Sequence, residues 1–187
     1  MKSPAAARPT RIPAPMPRKA AQPPPKKSLE IDVSVRCPRW TETLPRAATL
    51  SRRAAHAAYG AERKRLGRAE AAVVLADDAF IRRLNRDYRR QNKATNVLAF
   101  PAVDVAAVPA AMPAVLGDVV VAFETAAREA AAEGKTLADH LSHLVVHGML
   151  HLLGHDHQTA VAAKAMERRE IDILAGLGIA DPYGDCE

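Results

Sequence analysis

Eleven residues toward the C-terminal end of the chain hold histidines at a spacing that suits a metal ion: His147-Gly148-Met149-Leu150-His151-Leu152-Leu153-Gly154-His155-Asp156-His157. His147 and His151 are four apart, so a helix puts both imidazoles on one face. The run from Leu137 to Leu153 carries Leu, Val and His at helical spacing. Gly154 supplies the helix stop, because a C-terminal residue with positive φ is least strained as glycine. The chain turns there, and His157 can fold back toward the first two histidines. Three neutral imidazoles with one open position describe a catalytic zinc site, whereas a structural site wants four protein ligands, usually with cysteine. A zinc ion held this way supplies Lewis acidity to a substrate oxygen or to water.

The offsets sharpen the reading. From His147 the second His is at +4, a Gly at +7 and the third His at +10. That is the ligand spacing of the H-E-x-x-H-x-x-G-x-x-H zinc peptidases. Those peptidases carry their general base directly after the first His, where this chain has Gly148. The metal scaffold is kept and the peptidase base is missing. Cys37 and Cys186 are far apart and form no C-x-x-C, so cysteine adds nothing to the site. Their scarcity suits a reducing cytoplasm.

A second stretch could act on phosphate. Between Ile81 and Lys93 a helix would put Ile81, Leu84 and Tyr88 on an apolar face and Arg82, Arg86, Arg89 and Arg90 on the other side, with Lys93 just beyond. Composition alone reads this as a solvated basic face. The functional alternative is a phosphate-binding strip in which one arginine reaches the metal, a task suited to its fixed fork and permanent charge.

The elements that must position these groups follow from patterning. Leu29 to Val35 alternates apolar and polar and reads as a strand. Trp40 to about Leu66 reads as one helix, with Pro45 tolerated near its first turn. Ala71 to Ala76 is a strand, and Asp77 or Asp78 caps a helix to about Tyr88. Asn96 to Phe100 is a strand closed by Pro101. A Pro- and Ala-rich loop spans Ala102 to Val115, and Gly117-Asp118 opens a strand over Val119 to Ala122. Helices follow at Thr125 to Ala132, Thr136 to Leu153 and Thr159 to Leu177. The order βαβαββααα predicts an α+β fold, a single domain with a small mixed four-stranded sheet and helices packed on it.

Length and charge bound the rest. The 187 residues suffice for one domain with a real core, and no apolar run is long enough to cross a membrane. The net charge is +6, but Met1 to Lys27 supplies +7 and holds no acid, so the remainder carries −1. This segment is rich in Pro and Ala, cannot bury apolar surface and is expected to be a disordered tail, residues 1–27, ahead of a functional domain over 28–187. It lacks the apolar stretch of a secretory signal, and its prolines argue against an amphipathic transit helix. Met16 offers an alternative start. A dispensable solvated arm is the preferred reading, with a non-specific electrostatic grip on RNA as the alternative.

These residues meet a known family. The chain resembles the bacterial YbeY family of metal-dependent, single-strand endoribonucleases of ribosomal RNA maturation. One block is Leu84-Asn85 with Tyr88-Arg89, Thr95-Asn96-Val97-Leu98 and Phe100-Pro101; a second is Leu116-Gly117-Asp118. The third is His140 and His143, then Val146-His147-Gly148, Leu150-His151-Leu152-Leu153-Gly154 and Asp156-His157, with Asp181-Pro182-Tyr183 as a matching end. Ala94 and Ala99 stand where the family often has Pro and Ser, and His155 where Tyr is frequent; none of these puts a ligand in doubt. The resemblance implies one zinc per chain on His147, His151 and His157, a catalytic Arg89 acting with His147, and single-stranded ribosomal RNA as substrate. It also implies small-subunit components as partners, with 16S 3′-end maturation and ribosome quality control in the cytoplasm as the task.

Arg86, Arg90 and Lys93 are the remaining RNA-binding candidates. His140 and His143 are expected either to line the cleft or to serve in hydrogen bonding. Asp156 could orient a ligand histidine through its second ring nitrogen, and Asp156 or His143 could assist as a base. Two rivals stay open: a zinc peptidase, and a non-catalytic, metal-stabilised ribosome-assembly factor.

Removing Met1 to Lys27 should leave fold and metal content unchanged. Unfolding of the truncated chain checks this, and a loss of about 1 kcal/mol or more would show that the arm docks.

Overall fold

The computed structural model describes residues 28–62, 67–109 and 112–184. The expected tail over Met1 to Lys27 lies outside them, as does the far end of the helix expected to reach Leu66. The elements run β1 (Ser28–Val35), α1 (Arg39–Thr43), α2 (Ala47–Glu62), β2 (Arg68–Ala76), α3 (Asp78–Arg89), β3 (Val97–Pro101), β4 (Ala114–Ala122), α4 (Phe123–Ala132), α5 (Leu137–Leu152) and α6 (Ala160–Gly176). The four strands form one sheet in the order β1-β2-β4-β3. β1 pairs parallel with β2 and β2 with β4, while β3 lies antiparallel on β4 at the edge. The α+β fold with a mixed four-stranded sheet is the one the sequence predicts.

Two elements differ from expectation. The helix expected from Trp40 is two helices, because Leu44 leaves helical geometry ahead of Pro45, whose ring cannot continue an interior turn. α1 then packs separately: buried Trp40 donates from Nε1 to the Ala76 carbonyl at 3.0 Å and meets Phe123 edge-on at 5.1 Å. The last strand begins at Ala114, inside the stretch expected to be loop. Pairing with β2 holds it there, from Ala69 opposite Ala114, with an irregularity that skips Leu116 between Glu70 and Ala71. Gly117 follows at φ +123°, where an added Cβ would stand 2.1 Å from the Phe100 carbonyl oxygen. Both conformation and space demand glycine there.

The sheet has a core on each face. The larger core lies between the sheet and α2, α5 and α6, and includes Val73, Val119 and Val121 with Leu141, Val145 and Met149. The smaller one, beneath α3, joins Ile81 to Leu98, Val120 and Ala122. Alternate strand residues feed the two cores, so α3 and α5 sit on opposite faces. Both run back along β4. α3 starts beside Thr125, where the Asp78 carboxylate accepts from the Thr125 hydroxyl at 2.9 Å, and ends with Tyr88 against Phe100 at 5.2 Å. α5 starts near Glu129, a partner of His140, and presses Gly148 onto Val119. Their C-terminal ends therefore reach the same end of the sheet, with edge strand β3 beside them.

Gly148 decides how closely α5 approaches. A Cβ there would lie 2.5 Å from Val119 Cγ1, and Val119 is fully buried. An interior helical Gly→Ala exchange ordinarily stabilises by roughly 1 kcal/mol. Here the sign should reverse: Gly148→Ala should destabilise by about 1–3 kcal/mol through overpacking. Denaturant unfolding reads the effect, and a stabilised variant would refute the close contact.

Candidate metal centre

α5 is capped at both ends. The Thr136 hydroxyl accepts from the Asp139 N–H at 3.0 Å and donates to the Asp139 carboxylate at 2.7 Å. At the other end Gly154 takes φ +91°, its N–H bonds the His151 carbonyl at 3.1 Å, and the His155 N–H bonds the Leu150 carbonyl at 3.0 Å. This pair of bonds is a Schellman closure. It ends the helix one residue past His151 and sends the chain back, so that His157 returns toward the first two histidines.

The three imidazoles converge. One ligating atom from each of His147, His151 and His157 lies within 4.8 Å of the other two. His147 and His151 have ring centroids 4.7 Å apart, and His157 stands 5.7 and 4.9 Å from them. His147 and His151 are partly buried, and His157 is exposed.

Their hydrogen bonds settle which nitrogens carry protons. His147 Nδ1 faces the Glu170 carboxylate at 2.9 Å and must donate to it. His151 Nδ1 faces the His155 carbonyl at 3.0 Å and must donate as well. In the neutral rings both Nε2 atoms are then bare lone pairs, and they stand 3.1 Å apart. Two nitrogens on one tetrahedral zinc, at about 2.0–2.1 Å from it, stand roughly 3.3 Å apart. Donor type, tautomers and separation all fit a divalent metal, and the exposed side of His157 leaves an open approach.

Glu170 is 1% exposed and receives three groups: His147, His143 at 2.8 Å and the Tyr183 hydroxyl. Burial would raise its carboxyl, but hydrogen bonds from His143, His147 and Tyr183 outweigh burial and hold it at about 2. Burial, then the facing Glu170 carboxylate, pushes the Tyr183 hydroxyl far above its usual range. Burial first, then the neighbouring His147 and His157 charges, lower His151 to about 4.

Comparison with known proteins decides the family. The family described as Endoribonuclease YbeY matches residues 39–178. A relative from Paramagnetospirillum magneticum, named Endoribonuclease YbeY, is 52% identical over 161 residues, covering 84% of this chain and 98% of its own. A second of that name, from Azorhizobium caulinodans, is 50% identical over 156 residues, covering 83% and 96%. The chain belongs to the YbeY family. The solution structure of TM1509 from Thermotoga maritima shares the fold, with a TM-score of 0.52 at 20% identity over 82% of this chain and 99% of that one.

Other residues singled out in this YbeY sequence fall in several places. His143 joins Glu170, and His140 Nε2 meets Glu129 at 3.0 Å, so both hydrogen-bond along the α5 stripe that leads to the triad. The His155 ring pairs with Glu62 at 3.6 Å and is not one of the three converging imidazoles. Asp156 does not orient a histidine: its carboxylate accepts from the Gln158 N–H at 3.2 Å in a local turn, and Glu170 and the His155 carbonyl take the expected role.

On α3, Arg86 is paired with Asp87 at 2.8 Å, while the side chains of Arg89 at its last position and of Arg90 and Lys93 beyond it are exposed and form no hydrogen bond or ion pair with described residues. Arg89 shares the triad's end of the sheet but not its face, and no bond joins it to the histidines. The expected apolar face is redrawn too. Ile81 and Asn85 are buried and Tyr88 is 71% exposed, because the Asn85 amide holds the Lys93 carbonyl at 2.9 Å and fixes the loop into β3.

Sequence reasoning missed Glu170 and left Tyr183 without a role. A signal for Glu170 was present: it is the one acid in the stripe Met166, Glu170, Ile173 and Leu174 that α6 buries. An acid at a core position needs donors, and the nearest plausible donors are histidines.

In the metal-free chain the low His151 value ties stability to pH. The unfolded chain takes up this proton near 6.5, and the folded chain refuses it until about 4. The unfolded state binds more protons in that window, so stability should fall as pH drops through it. Urea unfolding at stepped pH after metal removal measures this. A midpoint that stays flat for the wild type, or an undiminished slope in His151→Ala, would contradict it.

Proposed function

We propose that this chain is a zinc-dependent endoribonuclease that cuts single-stranded RNA. Its proposed task is ribosomal RNA maturation in the cytoplasm, including 16S 3′-end formation and quality control alongside small-subunit components. The observation that carries the reading is the convergence of His147, His151 and His157 with Gly148 packed on Val119 where a peptidase would hold its base. A glutamate side chain at 148 would have to enter a filled core, which counts against the peptidase reading. The names of the relatives supply the RNA substrate class.

When bound, zinc supplies Lewis acidity at the scissile phosphate and toward an attacking oxygen. The protein's own groups do the rest. Nε2 of His147, Nε2 of His151 and a ring nitrogen of His157 would hold the metal at the C-terminal end of α5, and Glu170 and the His155 carbonyl keep the first two rings in the ligating tautomer. Arg89, Arg90 and Lys93 present uncommitted cations at the same end of the sheet. Arg90 and Lys93 would hold backbone phosphates. Arg89 would reach past edge strand β3 to offset charge developing on the phosphate. The reach is required because α3 and α5 occupy opposite faces, and that same separation favours the second reading, a non-catalytic assembly factor whose metal is structural.

The arginines separate the two. Arg89→Ala should lower cleavage of single-stranded RNA on the order of 10²-fold or more, as for loss of one preorganised donor. Zinc content and melting temperature should hold. Arg90→Ala should mainly weaken binding and flatten its salt dependence. Duplex RNA and casein serve as controls and should stay intact. Equal, modest losses from Arg86→Ala, Arg89→Ala and Arg90→Ala would favour the assembly factor.

A further inference from the structure

Glu170 lies outside the three ligands, yet everything around it points back to them. It is a carboxylate buried to 1% exposure, and such a group persists only with donors on its oxygens. Oε1 accepts from His147 Nδ1; Oε2 accepts from His143 Nε2 and from the Tyr183 hydroxyl. Tyr183 is itself held from several sides. Its N–H bonds the Asp181 carboxylate at 2.8 Å, its ring meets His143 edge-on at 5.5 Å, and Lys135 grips the preceding Pro182 carbonyl at 2.6 Å. Lys135 sits just before α5 begins. The segment after α6 is therefore pinned to the start of α5, and its tyrosine reaches the carboxylate that reaches a ligand.

We propose that Asp181–Tyr183 is a clasp on the metal centre, in which Tyr183 and Glu170 are positioning residues that hold His147 in its ligating tautomer and orientation. The argument rests on the reading of the triad as a metal site. A carboxylate on the far nitrogen of a ligand imidazole fixes the ring and strengthens its donor atom. A carboxylate with three donors, one of them clamped from outside the helix pair, has little freedom to turn. Loss of the Tyr183 hydroxyl removes one donor and leaves Glu170 free to swing toward His143.

Zinc affinity of the full chain, measured against a competing chelator, tests the clasp without any RNA. Glu170→Gln should weaken zinc binding by roughly 10–100-fold, the usual effect of losing such a partner. Tyr183→Phe should weaken it less, and Lys135→Met, whose ammonium bonds neither Glu170 nor any histidine, should move in the same direction. In the cobalt(II)-loaded chain the visible d–d bands should shift in Glu170→Gln and Tyr183→Phe, a change that loss of fold stability alone does not produce. Unchanged zinc affinity in a folded Glu170→Gln chain would overturn the proposal. If that variant fails to fold, wild-type affinity in both Tyr183→Phe and Lys135→Met would overturn it. A wild-type chain that binds zinc but leaves RNA intact would refute the proposed activity and leave the clasp standing, whereas one that binds no zinc would remove both.

Discussion

Two imidazole nitrogens that both present lone pairs at 3.1 Å repel each other unless a cation stands between them. That constraint organises the molecule. Nδ1 of each ring is already spent, one on Glu170 and one on the His155 carbonyl, so neither ring can turn to relieve the contact. A proton on His151 is a poor remedy near neutral pH, because burial first and then the neighbouring histidines hold that ring at about 4. The fold thus spends stability to hold a gap that suits a metal, as sites prepared for a ligand commonly do.

The rest of the chain keeps that gap in place. α5 is nearly surrounded, with Leu141, Val145, Met149 and Leu152 fully buried, while His147 and His151 near its end stay partly open. Gly148 sets its distance from β4, and the Schellman closure at Gly154 sets where His157 returns. α6 adds Glu170 from the side. The sheet brings the ends of α3 and α5 together at one edge, so uncommitted cations and the triad share a region while belonging to opposite cores.

Much of this was legible in the residues because it is local. The +4 and +10 histidines around a glycine are geometry within one helix and one turn, and the Asp77 cap of α3 and the strand alternation of β1 are equally short-range. What escaped depends on partners distant in sequence. β4 begins at Ala114 because β2 pairs with it, which no local pattern in a Pro- and Ala-rich stretch reveals. Asp156 looked like the orienting acid because it adjoins a ligand, yet backbone geometry turns it onto Gln158. Glu170, 23 residues after His147, took that place through helix packing. The sequence placed Arg89 near the chemistry by resemblance alone, and the structure adds its exposure and its side of the sheet without a bond to the site.

The central claim is that His147, His151 and His157 hold one metal ion that RNA cleavage requires. Elemental analysis paired with cleavage of a single-stranded RNA tests it on the same samples: the purified chain, the chain stripped by chelator, the stripped chain given zinc, and His151→Ala. The account predicts about one zinc per chain with cleavage, neither after stripping, both on zinc return, and neither in His151→Ala. Full cleavage by the stripped chain, or wild-type metal content in His151→Ala, would contradict it.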